Sequence, residues 1–278
     1  MSKARIEARF AALKAEGRAA FVPYIMAGDP DAATAQGILD ALPGAGADLI
    51  ELGFPFSDPM AEGPPIQRSA QRALAAGTTF DDVLALVRGF RKADQATPII
   101  LMGYMNIVLH RGIEAFARDA ADAGVDGLII VDCPPEEAGP LADALDAANV
   151  SLIRLATPTT DDKRLPVVVR RTSGFVYYVS VAGVTGVKEA DAAAVAPHVE
   201  RVRKASGLPV AVGFGIRTPE RAAAIARVAD AVVVGSALVD EVAEAVDMNE
   251  DVTTRVLSKV ELLAKAVRLA RVGQRDPV

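Results

Sequence analysis

Apolar and polar positions follow two alternating patterns along most of the chain. Short apolar runs rich in Val, Ile and Leu are each followed by a longer run whose apolar positions recur every three to four residues. The first pattern is typical of a strand buried on both faces, and the second of an amphipathic helix. Strands are predicted at residues 20–26, 48–53, 98–103, 127–131, 151–156, 175–180, 209–213 and 231–234. Helices are predicted at residues 3–16, 31–42, 65–76, 81–92, 113–123, 136–148, 161–171, 192–205, 219–228, 238–246 and 251–271.

The alternation of these patterns predicts the fold class. Repeated strand–helix units of this size form either a doubly wound open sheet or a closed (β/α)8 barrel. About eight units within 278 residues favour the α/β class and a (β/α)8 TIM barrel. No linker-like stretch divides the chain, so residues 1–278 are expected to form a single barrel domain. The first and last helices are extra N-terminal and C-terminal helices outside the ring.

Composition narrows the class of protein. The net charge is −6 and no block of lysine and arginine occurs, which argues against nucleic-acid binding. Cys133 is the only cysteine, and His110 and His198 lie far apart, so neither a disulfide nor a clustered metal site is expected. The charged N-terminal helix is unlike a signal peptide, and no apolar run approaches the ~18–20 residues of a membrane span. We therefore expect a cytoplasmic protein with no metal, membrane or nucleic-acid partner.

One predicted strand carries a charge in its middle. Glu51 lies between Ile50 and Leu52, so its side chain points to the opposite face from theirs. The strand breaks at Gly53 into a proline-containing loop that holds a second carboxylate, Glu62. A core carboxylate bonded to a neighbouring strand would explain Glu51 alone, and a surface position would explain Glu62 alone. The two together favour an acid–base site, because a charge in an apolar strand must be paired, hydrogen-bonded or shifted in pKa.

Glycines after the last two strands indicate a binding site for an anion. In a (β/α)8 barrel the active site lies at the carboxyl ends of the strands, and the last two loops commonly bind phosphate. The run at residues 213–215 and the pair Gly235-Ser236 each follow a strand and lead into a helix, whose free N–H groups suit an anion. Structural turns would also explain these glycines. No nucleotide-binding motif and no lysine on a predicted strand occurs, which favours carboxylate acid–base chemistry on a phosphorylated substrate.

Six motifs, in order along the chain, carry a family resemblance. They are FVPYIMAGDP at 21–30, ELGFPFSDPMAEGPPIQ at 51–67, DCPPEE at 132–137, YYVSVAGVTG at 177–186, VGFGI at 212–216 and VVGSALV at 233–239. Together they span nearly the whole chain and resemble the tryptophan synthase alpha chain. The block around ELG-x-PFSDP is very specific to that family, whereas the glycine loops alone would not identify it.

The resemblance implies a retro-aldol cleavage of indole-3-glycerol phosphate to indole and glyceraldehyde 3-phosphate. By similarity, Glu51 corresponds to the catalytic glutamate, which protonates indole C3 and could also take the proton of the adjacent glycerol hydroxyl. For Glu51 to act as an acid near neutrality, burial must raise its pKa above the usual value of about 4.3. Glu62 corresponds to a carboxylate that accepts the indole N–H, and it replaces an aspartate of the best-known members.

Further site residues follow from the resemblance alone. It assigns substrate binding to Tyr24, Tyr104, Leu128, Tyr177 and Thr185, and phosphate binding to Gly186, Gly215, Gly235 and Ser236. Each of these five substrate-binding positions could instead be plain core, as most aromatic residues on strands are. Val181 departs from the family, because many members have an arginine there whose loop-closing contacts would be absent.

The resemblance also implies a partner. Asp58 and Pro134 lie on loops that face the beta chain in the family, where two chains of each kind form an alpha2beta2 heterotetramer. Indole passes to the beta chain, which uses pyridoxal phosphate to join it to L-serine, so no cofactor is expected in this chain. Two readings stay open: a working lyase, or a catalytically weakened barrel that acts mainly as an allosteric activator of the beta chain. Another phosphate-binding isomerase or aldolase would need a catalytic lysine or histidine that these loops lack.

Overall fold

The computed structural model describes residues 2–180, 192–213 and 215–272, which form short strands alternating with helices. The strands are β1 (Ala20–Met26), β2 (Ile50–Gly53), β3 (Ile99–Gly103), β4 (Gly127–Ile130), β5 (Ser151–Leu152), β6 (Arg154–Ala156), β7 (Val176–Val179), β8 (Val210–Gly213) and β9 (Ala231–Val234). The helices are α1 (Ser2–Glu16), α2 (Ala32–Ala41), α3 (Pro64–Ala75), α4 (Phe80–Arg91), α5 (Met105–Arg111), α6 (Ile113–Ala123), α7 (Gly139–Ala147), α8 (Leu165–Val169), α9 (Ala192–Ser206), α10 (Pro219–Ala226), α11 (Ser236–Met248) and α12 (Val252–Leu269).

The strands close into a barrel. Every pairing is parallel, and the strand order runs β5-β4-β3-β2-β1-β9-β8-β7-β6. Strands β5 and β6 stand at the two ends of this order but are separated in the chain only by Ile153, whose N–H donates to the carbonyl of Leu128 at 2.9 Å. One stretch of chain therefore pairs with β4 through its first half and with β7 through its second. The predicted (β/α)8 barrel is confirmed, with one of its strands divided in two.

Alternate positions along the strands form two separate cores. Side chains such as Val22 and Leu49 belong to a cluster inside the barrel. Phe21, Ile50 and Leu52, which occupy the intervening positions, pack between the strands and the surrounding helices. This division follows from the two-residue period of a strand, and it explains why both faces of each strand are apolar.

Helix α1 covers the amino-terminal end of the barrel. Its apolar positions Ile6, Phe10 and Leu13 belong to the interior cluster. The Phe10 ring lies 5.7 Å from that of Phe175, which immediately precedes β7. Because α1 fills this end, the open mouth is at the carboxyl ends of the strands, where barrel enzymes place their active sites.

Buried ion pairs hold the closed end together. Asp126, which precedes β4, binds Arg91 through one carboxylate oxygen at 2.6 Å and Arg5 of α1 through the other at 2.9 Å. Asp48, which precedes β2, binds Arg18 at 2.8 Å. Both aspartates also accept backbone N–H groups from neighbouring strands. Their burial is therefore matched by opposite charge and hydrogen bonds, as a buried carboxylate requires.

Most predicted elements agree with the observed ones to within three residues, and two differ for local reasons. Helix α5 was not predicted, because Ile107 and Val108 are β-branched and lower the helix propensity of this short segment. The helix predicted at residues 161–171 shortens to α8. Asp161 there accepts the N–H groups of Lys163 and Arg164, so the chain makes a turn before the helix begins.

Candidate active site

Glu51 faces the barrel interior. It lies on the same side of β2 as the interior residue Leu49, and in the β1–β2 register its Cα partner is Tyr24. The residue is 2% exposed, and among the described residues no hydrogen bond or ion pair to its carboxyl group is found. A carboxyl group in this setting is not a satisfied core carboxylate, so it remains free to act on a molecule bound in the barrel mouth.

The protonation state of Glu51 follows from these surroundings. Burial, and secondarily the nearby Glu62, raises the pKa of Glu51 to about 8. Removing the group from water disfavours its charged form, and a second carboxylate opposes ionisation further. At neutral pH Glu51 is therefore mostly protonated and able to donate a proton.

Glu62 is placed by the loop between β2 and α3. The N–H of Ala61 donates to the Tyr104 hydroxyl at 2.9 Å, and the Gln67 amide donates to the Glu62 carbonyl at 3.0 Å. The Phe56 ring packs 5.0 Å from the Tyr104 ring. Burial raises the pKa of Glu62 to about 7, so near neutrality it exists in both protonation states.

Two tyrosines line the interior next to the acids, in spaces left by glycines. A methyl group at Gly53 would lie 2.2 Å from the Tyr24 hydroxyl, and one at Gly213 would lie 2.0 Å from the Tyr177 hydroxyl. Burial raises the pKa of both phenols well above 10, and the charges of Glu51 and Glu62 add to the shift. Both tyrosines therefore stay neutral and keep a hydroxyl donor at the site.

The amino-terminal end of α11 is open, whereas that of α10 is closed by its own residues. The Thr218 hydroxyl accepts the N–H of Arg221 and caps α10. Gly235 precedes α11 without any side-chain cap, and Ser236 is the first residue of that helix. A methyl group at Gly235 would lie 3.4 Å from Tyr24, so this helix end adjoins the tyrosine that pairs with Glu51. An anion bound there would meet uncapped N–H groups and the positive end of the helix dipole.

The remaining site predictions have different outcomes. Leu128 is corrected: its side chain belongs to the cluster between strands and helices, and the neighbouring Ile129 faces the interior instead. The one-residue shift matters because successive side chains of a strand point to opposite faces. Gly215 has a positive φ of 74° and lies in the exposed loop after β8. Thr185 and Gly186 lie outside the described residues, as do Val181 and Phe214.

The two residues assigned to the partner interface lie at the surface. Asp58, in the loop after β2, and Pro134, in the loop after β4, are both exposed. Both loops follow the carboxyl ends of their strands and therefore belong to the open mouth of the barrel.

One cluster beside the site was not found from the sequence. Asp29, 3% exposed, accepts two hydrogen bonds from the Arg72 guanidinium, both at 2.7 Å, and one from the Ser69 hydroxyl at 2.6 Å. It ties the loop after β1 to α3, the helix that begins just after Glu62. The partners lie 40 and 43 positions from Asp29 in the sequence, and only the buried setting of the Gly28-Asp29-Pro30 turn would have indicated them.

The part of the chain that the structure describes holds neither a clustered metal site nor a membrane-spanning helix. Residues 2–180, 192–213 and 215–272 contain no group of three or more His, Cys, Asp or Glu side chains placed to hold a metal ion. None of the helices in the same ranges is long and apolar enough to cross a bilayer.

The fold and the paired acids define a class: a (β/α)8-barrel enzyme with buried carboxyl groups and an uncapped helix start at its open mouth. The family model described as tryptophan synthase alpha chain matches residues 10–268. The tryptophan synthase alpha chain of Phenylobacterium zucineum is 83% identical over 271 residues, which cover 98% of each chain. That of Caulobacter vibrioides is 73% identical over 273 residues, covering 98% of this chain and 99% of the other.

Solved structures agree with these sequence comparisons. The crystal structure of tryptophan synthase subunit alpha from Legionella pneumophila has a TM-score of 0.88 at 41% identity and covers 95% of this chain and 98% of that one. A crystal structure of tryptophan synthase from M. tuberculosis has a TM-score of 0.85 at 37% identity, with 95% and 99% covered. This chain belongs to the tryptophan synthase alpha chain family. Its activity is the family's lyase reaction, the cleavage of indole-3-glycerol phosphate, and the family membership implies a beta-chain partner.

Proposed function

We propose that Glu51 is the general acid of this reaction and that Glu62 stabilises the positive charge of the indole ring. The observation that carries the proposal is a buried interior carboxyl group that has no hydrogen-bond partner in the part of the chain that the structure describes, and whose pKa is raised to about 8. An acid with this pKa is protonated at neutral pH and still able to release its proton, which general acid catalysis requires. A catalytic pair of carboxyl groups with raised pKa values is a recurring arrangement in enzymes.

The reaction proceeds through two proton transfers and one bond cleavage. Glu51 donates its proton to indole C3, which leaves a positive charge on the ring. Glu62 in its ionised form accepts a hydrogen bond from the indole N–H and stabilises that charge. The carboxylate of Glu51 then takes the proton of the glycerol hydroxyl next to C3, the C–C bond breaks, and its electrons restore the indole ring. Glu51 returns to its protonated form, and indole and glyceraldehyde 3-phosphate are released.

The phosphate of the substrate would bind at the start of α11. Gly235 and Ser236 offer N–H groups that no side chain caps, and Gly215 adds a backbone turn after β8. Tyr24 adjoins this helix end and is the register partner of Glu51, so one substrate could place its phosphate at α11 and its reacting carbon near Glu51. By resemblance, Thr185 and Gly186 complete the substrate and phosphate contacts.

The rim of the open mouth supports a partner surface. Met60 is 75% exposed and Leu109 is 60% exposed, and both follow neighbouring strands of the barrel. Together with Asp58 and Pro134 they form a partly apolar rim, as expected where another protein docks. We assign this rim to the beta chain in an alpha2beta2 heterotetramer in the cytoplasm. Pyridoxal phosphate belongs to that partner, and it supplies the condensation of indole with L-serine.

The test measures indole release from indole-3-glycerol phosphate by the full chain, alone and with its beta chain. We expect Glu51→Gln to lower kcat by ~10²–10⁴-fold, because glutamine fills the same space but cannot transfer a proton. The beta chain's own synthesis of tryptophan from indole and serine, measured with the same variant, checks that the complex still forms. Turnover by Glu51→Gln at the wild-type rate would end this assignment. A wild-type chain that stimulates the beta chain but releases no indole would favour the activator reading.

A further inference from the structure

A buried arginine on the outer side of the barrel wall forms no ion pair with any residue that the structure describes. Arg154 is the first residue of β6 and alternates with the interior residue Ile153, so it points toward the helices. The residue is only 7% exposed. Among the described residues it forms no ion pair, and the groups that act on its charge are the Cys133 thiol, the Glu136 carboxylate and the Arg164 guanidinium. A thiol does not neutralise a guanidinium, and Glu136 is already bound by Arg164, so the charge of Arg154 is only partly compensated.

A second deeply buried arginine of the described residues, Arg91, does have a carboxylate partner. Arg91 is 6% exposed, and it binds Asp126 at 2.6 Å and donates to the carbonyl groups of Gly124 and Thr97. All of its buried donors that the structure describes therefore face acceptors. Burial lowers the pKa of the Arg154 guanidinium, and the charge of the nearby Glu136 offsets this effect only in part. This contrast within one molecule indicates that Arg154 meets its counter-charge from outside the chain.

Arg154 opens onto a cavity. The space measures about 130 Å³ and is also lined by Arg170, Arg171, Glu136 and Gly139. One water needs only ~10–15 Å³ of such space, so an ion of several heavy atoms fits. The cavity lies between the loop after β4, the start of α7 and the segment after α8, away from the barrel interior.

The lining carries an excess of positive charge. Glu136, the one carboxylate among the lining residues, is bound by both terminal nitrogens of Arg164. Arg171 binds two carboxylates of α7. Arg154 and Arg170 form no ion pair with any residue that the structure describes. Two guanidinium groups at one small cavity are therefore without a bound carboxylate, and an anion in the cavity would balance their charge.

The start of α7 adds backbone donors. Gly139 lines the cavity and is the first residue of this nine-residue helix, and the preceding Ala138 provides no side-chain cap. The first-turn N–H groups of an uncapped helix lack partners within the helix, and the helix dipole favours negative charge at this end.

We propose that this cavity binds a small oxyanion of the phosphate type, held by Arg154, Arg170 and the first turn of α7. A guanidinium presents two parallel N–H donors that match two oxygens of such an ion, and the helix start supplies the remaining hydrogen bonds. The site is separate from the substrate phosphate site at α11, because Arg154 lies on the outer face of the barrel wall. The bound ion would link β6 to the start of α7 and to the loop that carries Glu136.

The test is a titration of the isotope-labelled full chain with inorganic phosphate, followed by NMR. The Gly139 amide and the Arg154 side-chain Nε–H report on the proposed site, and the Gly235 amide reports separately on the α11 site. We expect saturable shifts at Gly139 and Arg154. Arg154→Met should weaken the Gly139 response by ~10-fold or more, because a charge-assisted hydrogen bond is lost. The Gly235 response should be unchanged in that variant.

A second variant keeps the test decisive if Arg154→Met folds poorly. Arg170 is exposed, so Arg170→Met should fold normally and weaken the Gly139 response by roughly threefold. Arg118→Met, on α6, changes an arginine that is 64% exposed and remote from the cavity, and it should leave the response intact. No saturable shift at Gly139 up to tens of millimolar phosphate, or an undiminished shift in both the Arg154 and Arg170 variants, would overturn the proposal.

Discussion

At the level of single residues, the proposed mechanism depends on the protonation states of Glu51 and Glu62. Glu51 and Glu62 are close enough for the charge of Glu62 to raise the pKa of Glu51, and their pKa values, about 8 and about 7, bracket neutral pH. The proposed mechanism needs a protonated Glu51 and an ionised Glu62 at the same time. Because the two groups interact, their titration steps belong to the pair rather than to either residue. The form with one proton is then the active one.

The dependence of kcat/KM on pH should therefore be bell-shaped for indole release. We expect the rate to rise as Glu62 ionises near pH 7 and to fall as Glu51 loses its proton near pH 8. Glu62→Gln should remove the acidic limb and keep the alkaline one. A profile that stays flat from about pH 6 to pH 9 would show that neither carboxyl group titrates in the free enzyme.

Glu51 should also make the fold less stable as pH rises. Its pKa is about 8 in the folded chain against 4.5 for the free group, so between these values the folded state binds more protons than the unfolded state. The free energy of unfolding then decreases with rising pH across this window, and the loss is complete above pH 8. Glu51→Gln lacks this titration. We expect the variant to exceed wild type in stability by an amount that grows to on the order of 5 kcal/mol.

Urea unfolding of wild type and Glu51→Gln, at a pH below 4.5 where the protein remains folded and at a pH above 8, measures this difference. Glu261→Gln changes an exposed carboxylate of α12 and serves as the matched control, with no such growth expected. A Glu51→Gln chain that is less stable than wild type at the higher pH would mean that the carboxylate has a stabilising partner.

At the level of elements, the loop between β2 and α3 positions Glu62 through few contacts. The hydroxyl of Tyr104, the residue before α5, accepts the Ala61 N–H at 2.9 Å. Tyr104→Phe removes this acceptor and keeps the ring that packs on Phe56. We expect kcat for indole release to fall by ~3–10-fold while the melting temperature changes little, since one hydrogen bond contributes only ~1 kcal/mol.

Tyr178→Phe is the control for this prediction. Tyr178 packs in the outer cluster, where its ring stacks on His198, and it lies away from both acids. The Tyr178→Phe variant loses the same hydroxyl group at a position outside the loop between β2 and α3. Equal rates for Tyr104→Phe and wild type would show that the Ala61 hydrogen bond does not position Glu62.

The sequence could predict the elements and the acid, but not every side-chain direction. Glu51 was predicted because a charge in an apolar strand must be paired, hydrogen-bonded or shifted in pKa, and that argument needs no knowledge of the partner strand. Leu128 was assigned to the wrong face, since β4 is apolar at every position and its pattern does not show which residues face the interior. The Asp29–Arg72 pair and the cavity at Arg154 depend on contacts between distant segments, for which a single sequence carries no periodic signal.

At the level of the whole molecule, the two ends of the barrel have separate roles. Helix α1 and the Asp48 and Asp126 ion pairs close the amino-terminal end, while Glu51 and Glu62 lie toward the carboxyl ends. Barrel enzymes separate stability from catalysis in this way, which allows the loops to carry strained or unpaired groups. Glu51 is such a group, because its raised pKa lowers the stability of the fold at the pH where we propose that it acts.

This separation predicts opposite effects for two isosteric substitutions. Asp126→Asn leaves the buried Arg91 and the half-buried Arg5 guanidinium groups without their carboxylate, so we expect the free energy of unfolding to fall by ~3–5 kcal/mol. The folded fraction should keep kcat within about twofold of wild type, because the proposed catalytic groups lie at the opposite, open end of the barrel. Glu51→Gln should do the reverse, gaining stability above pH 8 and losing turnover. Asp122→Asn, at an exposed position of α6, should change neither quantity.

Urea unfolding and indole release, measured on all three variants, check this separation of stability from catalysis. A loss of kcat in Asp126→Asn without a loss of stability would show that the closed end acts on the site.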